Sequence, residues 1–500
     1  MDINTARIKL MELQSRLSAF SHAMELLSYD GETAAPKDTA SNRAHSIAQL
    51  SEEDYIIRTG KDTVELLEFL DSNKEELTEE EKRMVYLLLK DIRQMEKIPM
   101  KEYTEYKNLV IKAQDAWGEA KNNNDFSSFE PYLEKIFDAK IRFAKYCAPE
   151  KHPYDYWLGE FEEGLDMETC DIFFNGLRER ITHLIKEITE KGDAIPTSLQ
   201  ESFPIDKQEE LSEYLMDIMG LDRAHTVLST SEHPFTTSLG SHADERITTH
   251  YLENDFISSM FSVIHEGGHA LYDTGVSDKY LYSVLDAGIS MGVHESQSRF
   301  YENLLCRSKE FLSFIYPKLQ ELFPDSLANV TAHEFYKIVN KSCPSLIRTD
   351  ADEVTYSLHI LIRYELEKKV ISGELKVSDL PKEWNRLYKE YLGVDVPDDA
   401  HGVLQDVHWS CGDIGYFPSY ALGSAYGAHF LAKMKETIDV NKDLSQGEFS
   451  KINAWNKENI WIHGSLYPSN VLIEKVLGEK FSPDYYLTYL EEKYKEIYGL

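Results

Sequence analysis

Apolar residues recur at helical spacing along most of this 500-residue chain. In residues 1–28, Ile8, Leu10, Met11, Leu13, Leu17, Phe20, Met24 and Leu27 form a stripe that predicts a long amphipathic helix. Comparable patterns predict helices around 62–94, 101–120, 128–147, 168–191 and 432–438. A buried helix is expected through Phe256, Ile257, Met260, Phe261 and Ile264, opened by Asn254 or Asp255 and stopped at Gly275. A further apolar-periodic segment starts near His294 and runs through Phe300, Leu304 and Leu305. Strand signals are few. Residues 233–239 and 246–251 are rich in β-branched and aromatic side chains and flank loop chemistry at 240–244, which predicts a hairpin ending just before the buried helix. The fold class is therefore all-α with a small β-hairpin. With 25 Gly, 16 Pro and no linker-like stretch, one body spanning 1–500 is expected rather than several domains.

Charge and cysteine usage narrow the partners. A net charge of −34 argues against nucleic acid, because phosphate binding needs clustered Lys and Arg. Cys147, Cys170, Cys306, Cys343 and Cys411 are odd in number and contain no C-x-x-C pair, so neither a disulfide framework nor a zinc knuckle is expected. The first residues carry no apolar leader and no run of about 18 apolar residues occurs, so a cytoplasmic protein without membrane contact is expected.

The chemistry starts at His265-Glu266-Gly267-Gly268-His269, an H-E-x-x-H sequence inside the predicted buried helix. Residues i and i+4 stack on one helix face, so both imidazoles can reach one divalent cation while Glu266 reaches a water beside it. Ordinary core or solvated histidines are the alternative reading. Gly267 and Gly268 each cost about 1 kcal/mol relative to alanine in a helix, which makes sense where backbone or substrate passes close by. A zinc hydrolase needs a third protein ligand, and no histidine follows at metzincin spacing. Glu295 opens the next periodic segment, and a turn at Asp286-Ala287-Gly288 would fold that helix back antiparallel and aim the carboxylate at the metal. Taken alone, an acidic residue in such a place is a helix-dipole partner.

Six short segments, in order, resemble the carboxypeptidase Taq family of metallocarboxypeptidases. They are His233-Pro234-Phe235; Asp244 to Thr248, matching D-x-R-x-T; His265 to His269; His294-Glu295-Ser296-Gln297; Ile347 to Asp352, matching I-R-x-x-A-D; and Gly402 to Trp409, matching G-x-x-Q-D-x-H-W. Ser28-Tyr29-Asp30-Gly31-Glu32-Thr33 is similar to the family's W-D-x-E-T segment, with Tyr29 replacing tryptophan. The resemblance implies a saddle-shaped, mostly helical homodimer with a deep groove, flanked by the helical region of about 1–120. It implies removal of C-terminal amino acids from peptides with broad specificity, poor next to proline, using one divalent ion. Zn²⁺ is expected and Co²⁺ is an alternative, since imidazole and carboxylate ligands suit both. By motif match, His265, His269 and Glu295 are the ligands and Glu266 the base.

Other motif residues acquire roles from the reaction. A free α-carboxylate calls for a guanidinium, with Arg348 the first choice and Arg246 the reserve; a structural ion pair is the alternative for each. The developing oxyanion calls for donors, which His408 with Tyr420, or Tyr416, can supply. His233 is a candidate for placing the peptide, and Asp406 or Gln405 for fixing a ligand's tautomer. An endopeptidase or oligopeptidase with the same metal site is the alternative function, and a non-catalytic helical binding protein is a third.

Overall fold

The structure, a computed structural model, describes residues 1–195, 199 and 202–500. The N-terminal stripe forms α1 (Ile3–Thr33), whose first amides at Asn4 and Thr5 are capped by the Asp2 carboxylate. The 62–94 pattern divides into Lys61–Ser72 and Glu79–Lys97, because Thr78 and Glu81 form a capping box that starts a new helix. The next two patterns are Met100–Asn123 and Phe126–Cys147. The 168–191 pattern is continuous, with a π-helical turn at Leu177–Ile181 between Met167–Gly176 and Thr182–Lys191. No separate helix occupies 432–438. That stretch overlaps the end of Phe417–Lys435, a helix buried nearly all round, so its upstream turns show no amphipathic stripe.

The predicted hairpin is present within a three-stranded sheet. β1 (Thr226–Thr230) runs parallel to β3 (Glu245–Thr249), and β2 (Thr236–Ser238) pairs antiparallel on the other side of β3. α1 docks on this sheet. Ser18 Oγ donates to the Gly240 carbonyl at 2.8 Å, and the Gly240 amide donates to Glu25 at 2.8 Å. Gly240 has φ +74°, and a Cβ there would lie 2.5 Å from His22 Cβ, so both conformation and space demand glycine. Tyr29, where the family pattern has tryptophan, donates its hydroxyl to Ser229 Oγ on β1 at 2.7 Å and packs edge-on against Phe235.

Three helices position the site. α2 (Phe256–Thr274) is capped by Asp255, which accepts from the Ser258 amide at 3.2 Å. It stops before Gly275 as expected, although φ there is −82° rather than left-handed. The glycine makes room for Trp461, whose ring would sit 2.5 Å from a Cβ. α3 (Met291–Arg299) is capped by Ser290 and continues into a π-helical turn, Phe300–Cys306. α4 (Phe417–Lys435) closes over its other side. A Cβ on Gly268 of α2 would meet Ser298 Cα of α3 at 2.8 Å, and one on Gly423 of α4 would meet Glu295 Cβ at 2.9 Å. Glycine thus lets α3 pass between two helices at near-backbone distance.

A large apolar core runs from Ala113 to Tyr498. A second cluster joins Ala6, Leu10, Leu67, Leu70, Met84 and Leu89 to Val276, Tyr280 and Leu285, so the N-terminal helices are packed against the segment leaving α2. All five cysteines are free thiols. Among the described residues, no helix is long and apolar enough to cross a membrane.

Candidate metal centre and active site

Successive turns of α2 bring His265 and His269 onto one face, and α3 presents Glu295 to them. Glu295 Oε2 lies 3.7 Å from His265 Nε2 and 3.6 Å from His269 Nε2, and one donor atom from each residue falls within 4.8 Å of the others. Ligands held tetrahedrally at 2.0–2.1 Å stand roughly 3.4 Å apart, so the three donors fit a cation such as Zn²⁺ with little adjustment. Two neutral imidazole nitrogens and one carboxylate oxygen are also a suitable donor set.

Each donor has a supporting partner. His265 Nδ1 lies 2.9 Å from Glu302 Oε2, His269 Nδ1 lies 2.6 Å from His294 Nδ1, and Glu295 accepts from Arg299 Nε at 2.8 Å and Ser298 Oγ at 3.1 Å. Burial works against the Glu302 anion, but Arg299, His265 and Arg307 outweigh it and hold the carboxyl well below its ordinary range. Glu302 and Arg299 were not singled out from the sequence. Their spacing, Glu295, Arg299 and Glu302 at i, i+4 and i+7, was the available signal for one charged helix face.

Glu266 is buried, and burial raises its carboxyl above the ordinary range, opposed by His265 and by Thr236. Thr236 Oγ1 on edge strand β2 donates to Glu266 Oε2 at 2.6 Å. The hairpin therefore supports the glutamate directly, a contact that β propensity alone does not reveal.

His408, Tyr416, Tyr420 and Arg348 form an adjoining cluster. His408 Nε2 is 3.2 Å from the Tyr420 hydroxyl, the Tyr416 and Tyr420 rings meet edge-on at 4.9 Å, and the Arg348 guanidinium lies 5.2 Å from the Tyr420 ring centre. Burial lowers His408 to about 4 and raises both phenols, so imidazole and hydroxyls are neutral near pH 7. Tyr356 joins the two halves of the site: Arg299 lies over its ring at 4.8 Å, and Arg348 Nη1 is 3.4 Å from its hydroxyl.

Asp406 and Gln405 do not support a candidate metal ligand. Asp406 bridges Arg348 and Arg363, at 2.9 and 2.7 Å, while Gln405 accepts from the Arg348 amide and from Arg363. Arg246 is engaged by Asp244 at 2.6 and 3.0 Å and lies over Tyr29. His233 is exposed at the start of the hairpin.

Convergence of these donors beside a buried helical glutamate defines the class, a metal-dependent hydrolase on an α-helical scaffold. The chain belongs to the carboxypeptidase Taq (M32) metallopeptidase family, whose family model matches residues 9–494, and it is a metallocarboxypeptidase. Carboxypeptidase 1 of Bacillus subtilis (strain 168) is 42% identical over the full length of both chains. Thermostable carboxypeptidase 1 of Pyrococcus furiosus is 36% identical over 96% of each. The crystal structure of the M32 carboxypeptidase from Deinococcus radiodurans R1 superposes with a TM-score of 0.95 at 35% identity, covering 99% of this chain and all of the other.

Proposed function

We propose that His265, His269 and Glu295 hold one divalent ion, Zn²⁺ in the first instance with Co²⁺ as an alternative, and that Glu266 is the general base. The observation that carries this reading is the separation of Glu295 Oε2 from both histidine Nε2 atoms, 3.7 and 3.6 Å, close to that of two tetrahedral ligands, with Glu266 on the helix that bears the histidines. The bound ion supplies Lewis acidity and brings the pKa of water toward about 7. Glu266, steered by Thr236, takes the proton from the attacking water and returns it to the leaving amine. Tyr420, backed by His408, donates to the developing oxyanion, with Tyr416 beside it. Arg348 receives the terminal carboxylate on Nη1 while Asp406 holds its Nε and Nη2 edge. Arg246 supports the hairpin, and His233 guides the peptide at its open end.

The enzyme acts on peptides with a free C-terminus, broadly and poorly next to proline, as a homodimer with its N-terminal helices beside the groove. Five free thiols accord with a reducing cytoplasmic setting. Timed product identification on a mixed-sequence peptide tests the activity: release of single residues from the C-terminus is expected, and internal fragments would establish an endopeptidase instead. Glu266→Gln is expected to retain metal stoichiometrically and lose at least 10²-fold in kcat, about the scale of general-base catalysis. Undiminished turnover by the metal-loaded variant would remove Glu266 from the base role.

A further inference from the structure

His294 has no part in the reaction as described above, yet its ring touches a candidate ligand. We propose that His294 is a positioning residue that fixes the tautomer of His269 through a relay ending at Asp273. This rests on the reading of His265, His269 and Glu295 as the cation site.

His269 turns Nε2 toward Glu295 and Nδ1 toward His294 Nδ1, 3.6 and 2.6 Å away. Two imidazole nitrogens at that distance share a single proton. For His269 to offer a cation its Nε2 lone pair, the ring proton must sit on Nδ1, so His269 donates and His294 accepts. His294 must then carry its own proton on Nε2. That nitrogen lies 3.0 and 3.1 Å from the two Asp273 carboxylate oxygens, where the N–H has an acceptor. One placement of the ring protons satisfies all three groups and leaves the metal-facing nitrogen unprotonated.

Packing holds the His294 ring in the orientation that this assignment needs. A Cβ on Gly288 would lie 2.5 Å from His294 Cδ2 and 2.8 Å from the Tyr272 ring, so the imidazole occupies a slot that only glycine leaves open. Tyr272 closes the other side, its ring centre 5.1 Å from that of His294, and its hydroxyl accepts from the Ile289 amide to hold the same turn. These contacts confine the ring with Nδ1 toward His269 and Nε2 toward Asp273. The two candidate ligands are also backed differently. His265 has a carboxylate at its Nδ1, whereas His269 reaches one only through the His294 imidazole.

The test measures Zn²⁺ affinity of the folded, metal-stripped protein by competition with a chromogenic chelator, alongside the Co²⁺ ligand-field spectrum. His294→Phe is expected to bind Zn²⁺ roughly 10–100-fold more weakly and to alter the Co²⁺ spectrum, the usual cost of losing such a partner. His294→Asn, whose amide oxygen can take the place of Nδ1 as acceptor, is expected to recover affinity to within about threefold of the parent. Asp273→Ala keeps the ring but removes its anchor and is expected to weaken binding as well; it carries the test if His294→Phe does not fold. Parental affinity in Asp273→Ala or a folded His294→Phe, or loss in His294→Asn equal to that in His294→Phe, overturns the relay. His265→Ala separates the two levels: if it binds Zn²⁺ as the parent does, the cation site itself is misassigned.

Discussion

Arg348 and His408 illustrate how one side chain's role depends on what its neighbours already occupy. Asp406 neutralises one arginine of a pair, leaving the Arg348–Asp406–Arg363 group with one net positive charge beside the tyrosines. Arg348→Ala is expected to raise KM for free-acid peptides at least tenfold and to leave C-terminally amidated peptides nearly unaffected, the scale of a lost charge-assisted hydrogen bond. Unchanged discrimination between the two substrates would place the carboxylate clamp elsewhere. His408 bears on pH. Its folded pKa of about 4 lies below the ordinary 6.5, so between those values the unfolded chain binds the extra proton. Stability from this residue is complete above pH 6.5 and is lost as pH falls toward 4. Urea denaturation of His408→Gln is expected to show a shallower decline over that window than the parent. At this scale H-E-x-x-H was legible because five adjacent residues encode both helix and chemistry. Glu302 and Thr236 were not, since their contacts span 37 and 30 positions.

Among the elements, long amphipathic helices were the easiest to read and the buried ones the hardest. α1 and Phe126–Cys147 announce themselves by a stripe, whereas α4 is buried on nearly every side, so its first four turns carry no stripe to mark them. β1 escaped notice because Thr226–Thr230 is short and pairs in parallel through β3, without a hairpin turn to mark it. Of the Gly267-Gly268 pair, expected to mark a close approach, Gly268 meets the α3 backbone at Ser298 and Gln297, whereas Gly267 faces the side chains of Met219 and Leu221. Gly268→Ala is expected to destabilise the protein by about 1–3 kcal/mol, as overpacking does, because backbone rather than a flexible side chain blocks the new methyl group. Thermal unfolding would show it. Gly478→Ala is a poor comparator despite open space, since φ there is +73°; Gly118, with nothing within 4 Å of a Cβ, is the proper control.

For the whole molecule, the candidate cation site and its supports link separate elements of the chain, from the N-terminal helix to α3. α2 and α3 supply the donors, and β2, held by α1, supports the base. A ligand that binds only the folded state stabilises it by RT ln(1 + [L]/Kd), about 2.7 kcal/mol at one hundred times Kd. Stripping the metal with a chelator is expected to lower Tm by a few degrees, and restoring Zn²⁺ to reverse it. An unchanged Tm on verified metal removal would mean that the ion does not bind the folded state in preference to the unfolded chain, against the proposed site.

The glycine-lined passage of α3 also constrains how this protein can diverge. Most cores drift by trading one side-chain volume for another, and such trades move neighbouring helices by fractions of an ångström. Here the approach of α3 to the histidine helix is limited by polypeptide backbone at Gly268, which no substitution can thin, while Gly423 leaves room on the far side for the Glu295 stem. Any side chain at either position can only push the Glu295 carboxylate out of place, so divergence at the site is constrained at these two glycines.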